Sequence, residues 1–126
     1  MPISENNLEH LLKESFGFSS FRPGQEQIIR KILNGQNVLS VMPTGAGKSL
    51  CYQFPASISD YKTIIVSPLV ALIDDQHSSL KLLGIPANKL HSHLEREVAV
   101  QHWLEFKDGN TGILFLNNEC WTLCQI

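Results

Sequence analysis

A glycine-rich segment between a predicted strand and a predicted helix constrains this chain more than any other feature. The segment is Met42-Pro43-Thr44-Gly45-Ala46-Gly47-Lys48-Ser49. Glycines let the backbone approach phosphate oxygens, and successive N–H groups at a helix N-terminus bind the anion. We expect Lys48 to bind the β- and γ-phosphates and to serve catalysis there, and the Ser49 hydroxyl to be a ligand of Mg²⁺. The pattern predicts that Thr44, Gly45, Ala46, Gly47, Lys48 and Ser49 bind a nucleotide.

This segment departs from the general phosphate-loop pattern at one position. The general pattern places a glycine five residues before Gly47, and this chain has Met42 there. The alternative interpretation is a glycine-rich turn with an incidental lysine. The predicted strand before the loop and the predicted helix after it disfavour that alternative.

Apolar periodicity along the chain predicts an α/β fold. Predicted helices cover residues 5–15, 23–33, 48–54, 69–83 and 94–107, the third ending near Pro55 because proline interrupts a helix. Predicted strands cover residues 37–42, 63–67, 87–90 and 112–116. Short apolar strands that alternate with amphipathic helices are typical of a parallel sheet with helices on both faces.

Composition narrows the class of protein. The chain has 126 residues, 43% of them hydrophobic, which suits one compact domain. Its net charge of −2 excludes a general basic DNA clamp, so any nucleic-acid binding must be local. A polar N-terminus, short apolar runs and only three cysteines predict an intracellular, reducing location.

Three blocks together resemble the first motor lobe of RecQ-type DNA helicases of superfamily 2. They are Phe16-Gly17-Phe18 with Phe21-Arg22-Pro23-Gly24-Gln25-Glu26, the segment 42–53 around the glycines, and Val66-Ser67-Pro68-Leu69-Val70-Ala71-Leu72-Ile73-Asp74-Asp75-Gln76. The missing first glycine is normal in that superfamily. The resemblance implies that residues 1–126 are part of a RecA-like P-loop NTPase lobe, with an adenine motif at 16–26, the phosphate loop at 42–49 and a DNA-facing motif at 66–76.

The resemblance also implies a function. It is that of an ATP-dependent helicase that binds ATP and Mg²⁺, moves 3′-to-5′ on single-stranded DNA, unwinds duplex DNA and serves DNA repair and recombination. Gln25 can bond bidentately to N6 and N7 of adenine, while the resemblance implies that Phe18 packs on the base and that Arg22 assists. The residues expected to bind DNA are Ser67, Leu69 and Gln76.

Several expected parts of such a motor are missing. The chain contains no Asp-Glu dipeptide, the pair that orients Mg²⁺ and activates water in this superfamily. Asn117-Asn118-Glu119-Cys120 stands where the family usually has a Ser-Pro-Glu-Arg-like stretch, and residues 117–126 form an atypical tail. We therefore expect an incomplete lobe, whose partners are the missing half-lobe and the second lobe. The chain alone is expected to be catalytically incompetent and marginally stable, because the strand at 38–42 would have an open apolar edge.

Two other functions stay open. The chain could be a truncated, non-catalytic product that binds a nucleotide or a partner, or a small P-loop kinase, which would not need both the 21–25 and 67–69 blocks.

Three further residue patterns are weaker indications of function. His91-Ser92-His93 is expected to be a loop near DNA or solvent rather than a metal site, Asp74-Asp75 a solvated face, and Trp103 and Phe106 core residues.

Overall fold

The computed structural model describes residues 5–43, 45 and 47–120. The chain divides into two compact units, Met1–Ser59 and Asp60–Ile126. No helix within the described ranges is long and apolar enough to cross a membrane.

Within its described residues, the first unit contains three helices, α1 (Glu5–Phe16), α2 (Gln25–Leu33) and α3 (Lys48–Ile58). Residues at helical spacing on α1, Leu8, Leu12 and Phe16, are buried. The Phe54 ring of α3 meets the Phe16 ring edge to face at 6.0 Å between centroids, and the Phe21 ring at 5.7 Å. The unit is therefore held by an aromatic cluster that fixes the segment just before Arg22.

Helix α2 ends as its sequence predicts. Gly35 has a positive φ of 78°, a conformation that glycine adopts at low cost. Its N–H bonds to the carbonyl of Ile32, and the N–H of Gln36 bonds to the carbonyl of Lys31, the pair of bonds that defines a Schellman motif.

The predicted end of α3 near Pro55 is wrong. The helix continues through Pro55 to Ile58, and the N–H of Ser59 bonds to the carbonyl of Pro55. Proline removes one backbone donor, at a cost of about 3 kcal/mol in a helix interior. Here Phe54, Pro55 and Ala56 are all buried, so packing of this turn offsets that loss.

The predicted strand at residues 37–42 is also wrong. Residues 36–43 have no regular secondary structure, and Leu39 and Val41 are 94% and 92% exposed. A strand forms only when neighbouring strands bond its N–H and C=O groups. Among the described residues, no strand pairs with this segment.

The second unit is a three-stranded parallel sheet with two long helices. Its elements are β1 (Thr63–Ser67), α4 (Val70–Leu82), β2 (Asn88–Leu90), α5 (Arg96–Asp108) and β3 (Ile113–Asn117). The strand order is β1-β3-β2, and Ser67 of β1 is in register with Asn117 of β3. The central strand β3 is buried along its whole length, as its continuous apolar sequence predicts.

The core of this unit includes Leu90, Phe106, Leu114, Leu116 and Cys120, with Trp103 packed against it. The core assignments of Phe106 and Trp103 are thus confirmed. Val98 and Leu104, which α5 could also have buried, are 38% and 48% exposed. Cys51 and Cys120 are buried free thiols.

Candidate functional site

Gln25 joins the start of α2 to the predicted phosphate loop. Its side chain is 2% exposed, and its Nε2 donates to the carbonyl oxygen of Gly47 at 3.0 Å. Its Oε1 accepts from the backbone N–H of Arg22 at 2.7 Å. Each amide atom therefore has one internal partner and one further bonding position, since an amide carries two N–H donors and two lone pairs.

The Arg22 side chain contacts the same loop at a second position. Its Nη1 donates to the carbonyl oxygen of Gly45 at 2.7 Å. Two side chains of the predicted adenine motif thus bind two carbonyl groups of the predicted phosphate loop.

Both loop glycines have left-handed backbones, with φ of 84° at Gly45 and 79° at Gly47. A Cβ at Gly47 would overlap Nε2 of Gln25, while a Cβ at Gly45 meets no described atom within 4 Å. Gly47 is therefore required both by its backbone conformation and by the close approach of Gln25.

A cavity of about 300 Å³ lies beside these groups. Its lining consists of Phe16, Phe18, Ser20, Arg22, Gln25, Gly47, Ser49, Leu50 and Gln53. The Phe18 side chain is 51% exposed, and Gln53 is 7% exposed. Sequence reasoning missed Gln53, although it follows Ser49 by one helical turn and so shares its face of α3.

Lys48 and Ser49 form the first turn of α3, with Gly47 at the N-cap. Unsatisfied N–H groups and the positive end of the helix dipole at this position favour an anion. Thr44 and Ala46, which the sequence also assigns to the nucleotide, lie outside the described residues.

The donor set near Ser49 fits a magnesium ion bound mainly through a nucleotide. No group of three His, Cys, Asp or Glu side chains among the described residues could hold a metal on its own. Mg²⁺ is commonly held by one or two protein oxygens together with phosphate oxygens and waters. The Ser49 hydroxyl can supply one such oxygen.

Cys51 packs behind the loop. Its Sγ lies 3.8 Å from Sδ of Met42 and 3.9 Å from the carbonyl oxygen of Gly47. Burial raises the pKa of the Cys51 thiol, so this group is a packing residue rather than a nucleophile.

The residues predicted to bind DNA lie in the second unit, two of them at the start of α4 and Gln76 about two turns into that helix. Ser67 ends β1, and its Oγ accepts from the N–H of Leu69 at 3.2 Å. Leu69 is the N-cap of α4 and is 60% exposed, while Gln76 lies on the same helix, partly buried. Asn117, in register with Ser67, donates from Nδ2 to the carbonyl of Pro68 at 3.3 Å.

The prediction of a solvated face holds for Asp75, which is exposed, while the Asp74 side chain is 43% exposed and also has two bonding partners. Oδ1 of Asp74 is 2.8 Å from Nζ of Lys89 and 2.8 Å from Nε2 of His91. The hydrogen bond from Lys89 holds the pKa of the Asp74 carboxyl below its usual range. Residues 91–93 form a loop as predicted, with Ser92 and His93 exposed, but His91 itself is 5% exposed.

A second polar network ties β2 to α5. Nδ1 of His102 accepts from the backbone N–H of Lys89 at 3.3 Å and lies 3.1 Å from Nδ2 of Asn88. Asn88 is 1% exposed and also donates to Glu105 at 2.8 Å. Burial lowers the pKa of His102 and of its neighbour His77, whose ring centroid is 5.7 Å away.

Known helicases are similar to this chain over most of its length. The family described as DEAD/DEAH box helicase matches residues 22–123. The chain is 46% identical over 111 residues to the ATP-dependent DNA helicase RecQ of Haemophilus influenzae, covering 86% of this chain and 18% of that protein. It is 44% identical over 116 residues to ATP-dependent DNA helicase Q-like 5 of Arabidopsis thaliana, covering 92% of this chain and 13% of that protein.

The fold has a relative of known structure. The chain matches the crystal structure of a hypothetical ATP-dependent RNA helicase from Sulfolobus tokodaii with a TM-score of 0.74 and 21% identity. The match covers 98% of this chain and 38% of that one. The predicted RecA-like α/β fold is thus confirmed, and the chain spans less than a fifth of the two curated relatives described above.

Proposed function

Because the chain belongs to the DEAD/DEAH box helicase family, we propose that it is the nucleotide- and DNA-binding part of an ATP-dependent, RecQ-type DNA helicase that moves 3′-to-5′. The observation that carries the proposal is the hydrogen bond from Gln25 to the carbonyl of Gly47. It brings the adenine motif and the phosphate loop together beside one cavity, as a single nucleotide site requires.

Adenine binds at the Gln25 end of the cavity. The second N–H of Gln25 donates to N7, and the second lone pair of Oε1 accepts from the N6 amino group. Neither contact requires the bonds to Gly47 or Arg22 to break. The half-exposed Phe18 ring packs on the face of the base, and Arg22 keeps the loop in place.

The phosphates bind at the start of α3. Gly47 and the first turn of α3 offer backbone N–H groups, and Lys48 adds a positive charge for the β- and γ-phosphates. Ser49 supplies one oxygen to Mg²⁺. When bound, the ion neutralises charge that develops on the phosphate oxygens.

Single-stranded DNA binds at the start of α4 through Ser67, Leu69 and Gln76. Ser67 ends β1 and Leu69 caps α4, at the edge where open parallel sheets bind ligands, and Gln76 lies about two turns into α4. Backbone N–H groups there bind a phosphate without reading sequence. This local site explains how a chain of net charge −2 can bind a polyanion.

Hydrolysis needs residues that this chain does not contain. No Asp-Glu dipeptide occurs in its sequence, so it has the phosphate lysine without the pair that orients Mg²⁺ and activates water. The chain therefore binds ATP without turning it over, and unwinding belongs to a longer protein that supplies the missing half-lobe and second lobe.

Both binding activities can be tested on the same protein preparation. ATP·Mg²⁺ and a fluorescein-labelled oligodeoxythymidine are titrated separately into the 126-residue chain. Lys48→Ala should lose nucleotide affinity and keep DNA affinity, since Lys48 lies in the first unit and the DNA residues in the second. A chain that binds neither ligand, or a Lys48→Ala variant that binds ATP like the wild type, would contradict the proposal.

A further inference from the structure

We propose that Asn117 is a positioning residue that fixes the start of α4 for binding to a nucleic-acid phosphate. The inference rests on the proposed DNA-binding function of Ser67 and Leu69. Asn117 stands at the position where the resemblance to the RecQ family fails, since that family usually has serine there.

The Pro68–Leu69 peptide unit is hydrogen-bonded through both its carbonyl group and its N–H group. The carbonyl of Pro68 accepts from Nδ2 of Asn117 at 3.3 Å. The N–H of Leu69 belongs to the same peptide unit and donates to Oγ of Ser67 at 3.2 Å. Because Ser67 and Asn117 are in register on neighbouring parallel strands, the sheet itself sets the orientation of this peptide plane.

Asn117 is itself held firmly. Its side chain is 2% exposed, and its Oδ1 accepts from the N–H of Glu119 at 2.9 Å. Its Oδ1 therefore bonds to the segment that follows β3, and its Nδ2 bonds to the segment that follows β1. A buried amide with two partners is costly to move, because each unmade bond leaves a desolvated polar group.

The consequence falls on the N-cap of α4. Leu69 has an extended backbone, with φ of −106° and ψ of 107°, and its carbonyl accepts the first helical bond, from Ile73 at 3.1 Å. The orientation of the Pro68–Leu69 peptide plane thus sets the direction in which the first N–H groups of α4 point. Those groups have no intrahelical partner and are the ones that a phosphate would bind.

Asparagine suits this position better than serine. A serine hydroxyl at 117 can still accept from the N–H two residues on, as hydroxyls do in short turns. It is one bond too short to reach the carbonyl of Pro68 as well. Asn117→Ser therefore removes the bond across the strands while keeping the local turn.

The test measures affinity for labelled oligodeoxythymidine in the full 126-residue chain. Asn117→Ser and Asn117→Ala should weaken binding about three- to tenfold, the equivalent of one hydrogen bond. The dependence of affinity on salt should keep its slope, because the number of phosphates bound is unchanged. Ser67→Ala combined with Asn117→Ser should cost less than the sum of the two, because both bonds hold one peptide unit.

The matched control is Asn88→Ser. Asn88 is also a buried asparagine beside β3, but it is in register with Leu114 and bonds to α5. The Asn88→Ser substitution should lower the melting temperature and leave DNA affinity within about twofold. A loss of DNA affinity caused only by lower stability is thus distinguished from a loss caused by a misplaced start of α4.

The outcomes distinguish the role proposed for Asn117 from the proposed DNA-binding function on which it rests. If the wild type binds DNA and Asn117→Ser binds equally well, or Asn88→Ser loses as much affinity as Asn117→Ser, the role of Asn117 is overturned and the DNA-binding function stands. A wild-type chain with no affinity for DNA overturns the proposed DNA-binding function and this inference with it.

Discussion

The side-chain amide of Gln25 donates a hydrogen bond of 3.0 Å to the backbone carbonyl of Gly47, 22 residues further along the chain. Because Gln25 is buried and Gly47 precedes α3 directly, the conformation of the phosphate loop depends on a residue of the preceding helix. The nucleotide proposal and two of the predictions below depend on this contact.

Gly47→Ala should destabilise the chain more than Gly45→Ala. Both substitutions place a side chain on a left-handed backbone, at a cost of about 1–2 kcal/mol. Only the alanine at 47 overlaps Nε2 of Gln25, so the buried amide also loses a partner, a further cost of about 1–3 kcal/mol. Urea unfolding without nucleotide measures the difference.

Gly45→Ala is the matched control for this comparison, because a Cβ there meets no described atom within 4 Å. Equal losses of stability in the two variants would show that the contact between Gln25 and the loop contributes nothing.

The second unit should lose stability as the pH falls below about 6.5. His102 accepts a backbone hydrogen bond at Nδ1. Burial is the main cause that lowers the pKa of His102 from its ordinary value of 6.5, and the nearby His77 is the second cause. The unfolded chain then binds more protons than the folded one between that lowered pKa and 6.5, so stability is full above this window and is lost as the pH falls through it.

His102→Gln should reduce, without abolishing, the fall in melting temperature between about pH 7 and about pH 5, since the amide cannot take up the proton while His77 still can. The control is His10→Gln, which changes a histidine whose side chain is 66% exposed. The Asp74 carboxyl has a separate effect. Its lowered pKa means that its contribution is lost only below about pH 3.8. Identical pH profiles for the wild type and His102→Gln would contradict the role given to His102.

The isolated chain should be marginally stable and prone to aggregate. Leu39 and Val41 are almost fully exposed, and Ile64 and Val66 of β1 are about half exposed. Exposed apolar side chains on unpaired or edge segments favour association between chains. Light scattering during heating should show aggregation that Leu39→Ser with Val41→Thr reduces.

Leu82→Ser is the control for that pair, because Leu82 is 90% exposed but belongs to a regular helix, α4. It should change scattering less. A reversible, cooperative melt of the wild type well above room temperature would refute the prediction of marginal stability.

Much of the fold was predictable because local sequence signals decide it. Strand β1 has the predicted boundaries, and Gly35 and Gly84 end α2 and α4 as their positions indicate. The errors arise where distant residues decide. The segment 37–42 has strand-like residues but no described strand to bond it, and Pro55 stays helical because its neighbours are buried.

The candidate site follows the same division. The motif predicts Gln25 as an adenine-binding residue, and helical spacing from Ser49 could have indicated that Gln53 lines the same cavity. The bond from Gln25 to Gly47, the pairing of Asp74 with His91, and the bond from Asn117 to Pro68 all join residues far apart in sequence. No local pattern specifies such partners, because they depend on register and packing.

A calorimetric titration of ATP·Mg²⁺ and GTP·Mg²⁺ tests the central claim most directly, namely that Gln25 and the loop at Gly47 form one adenine-selective nucleotide site. We predict that the wild type binds ATP at least about tenfold more tightly than GTP, because guanine presents a carbonyl where adenine has its N6 amino group. Gln25→Ala should remove that preference, and Lys48→Ala should weaken both nucleotides. Equal affinity of the wild type for ATP and GTP, or affinity that Lys48→Ala leaves unchanged, would contradict the account.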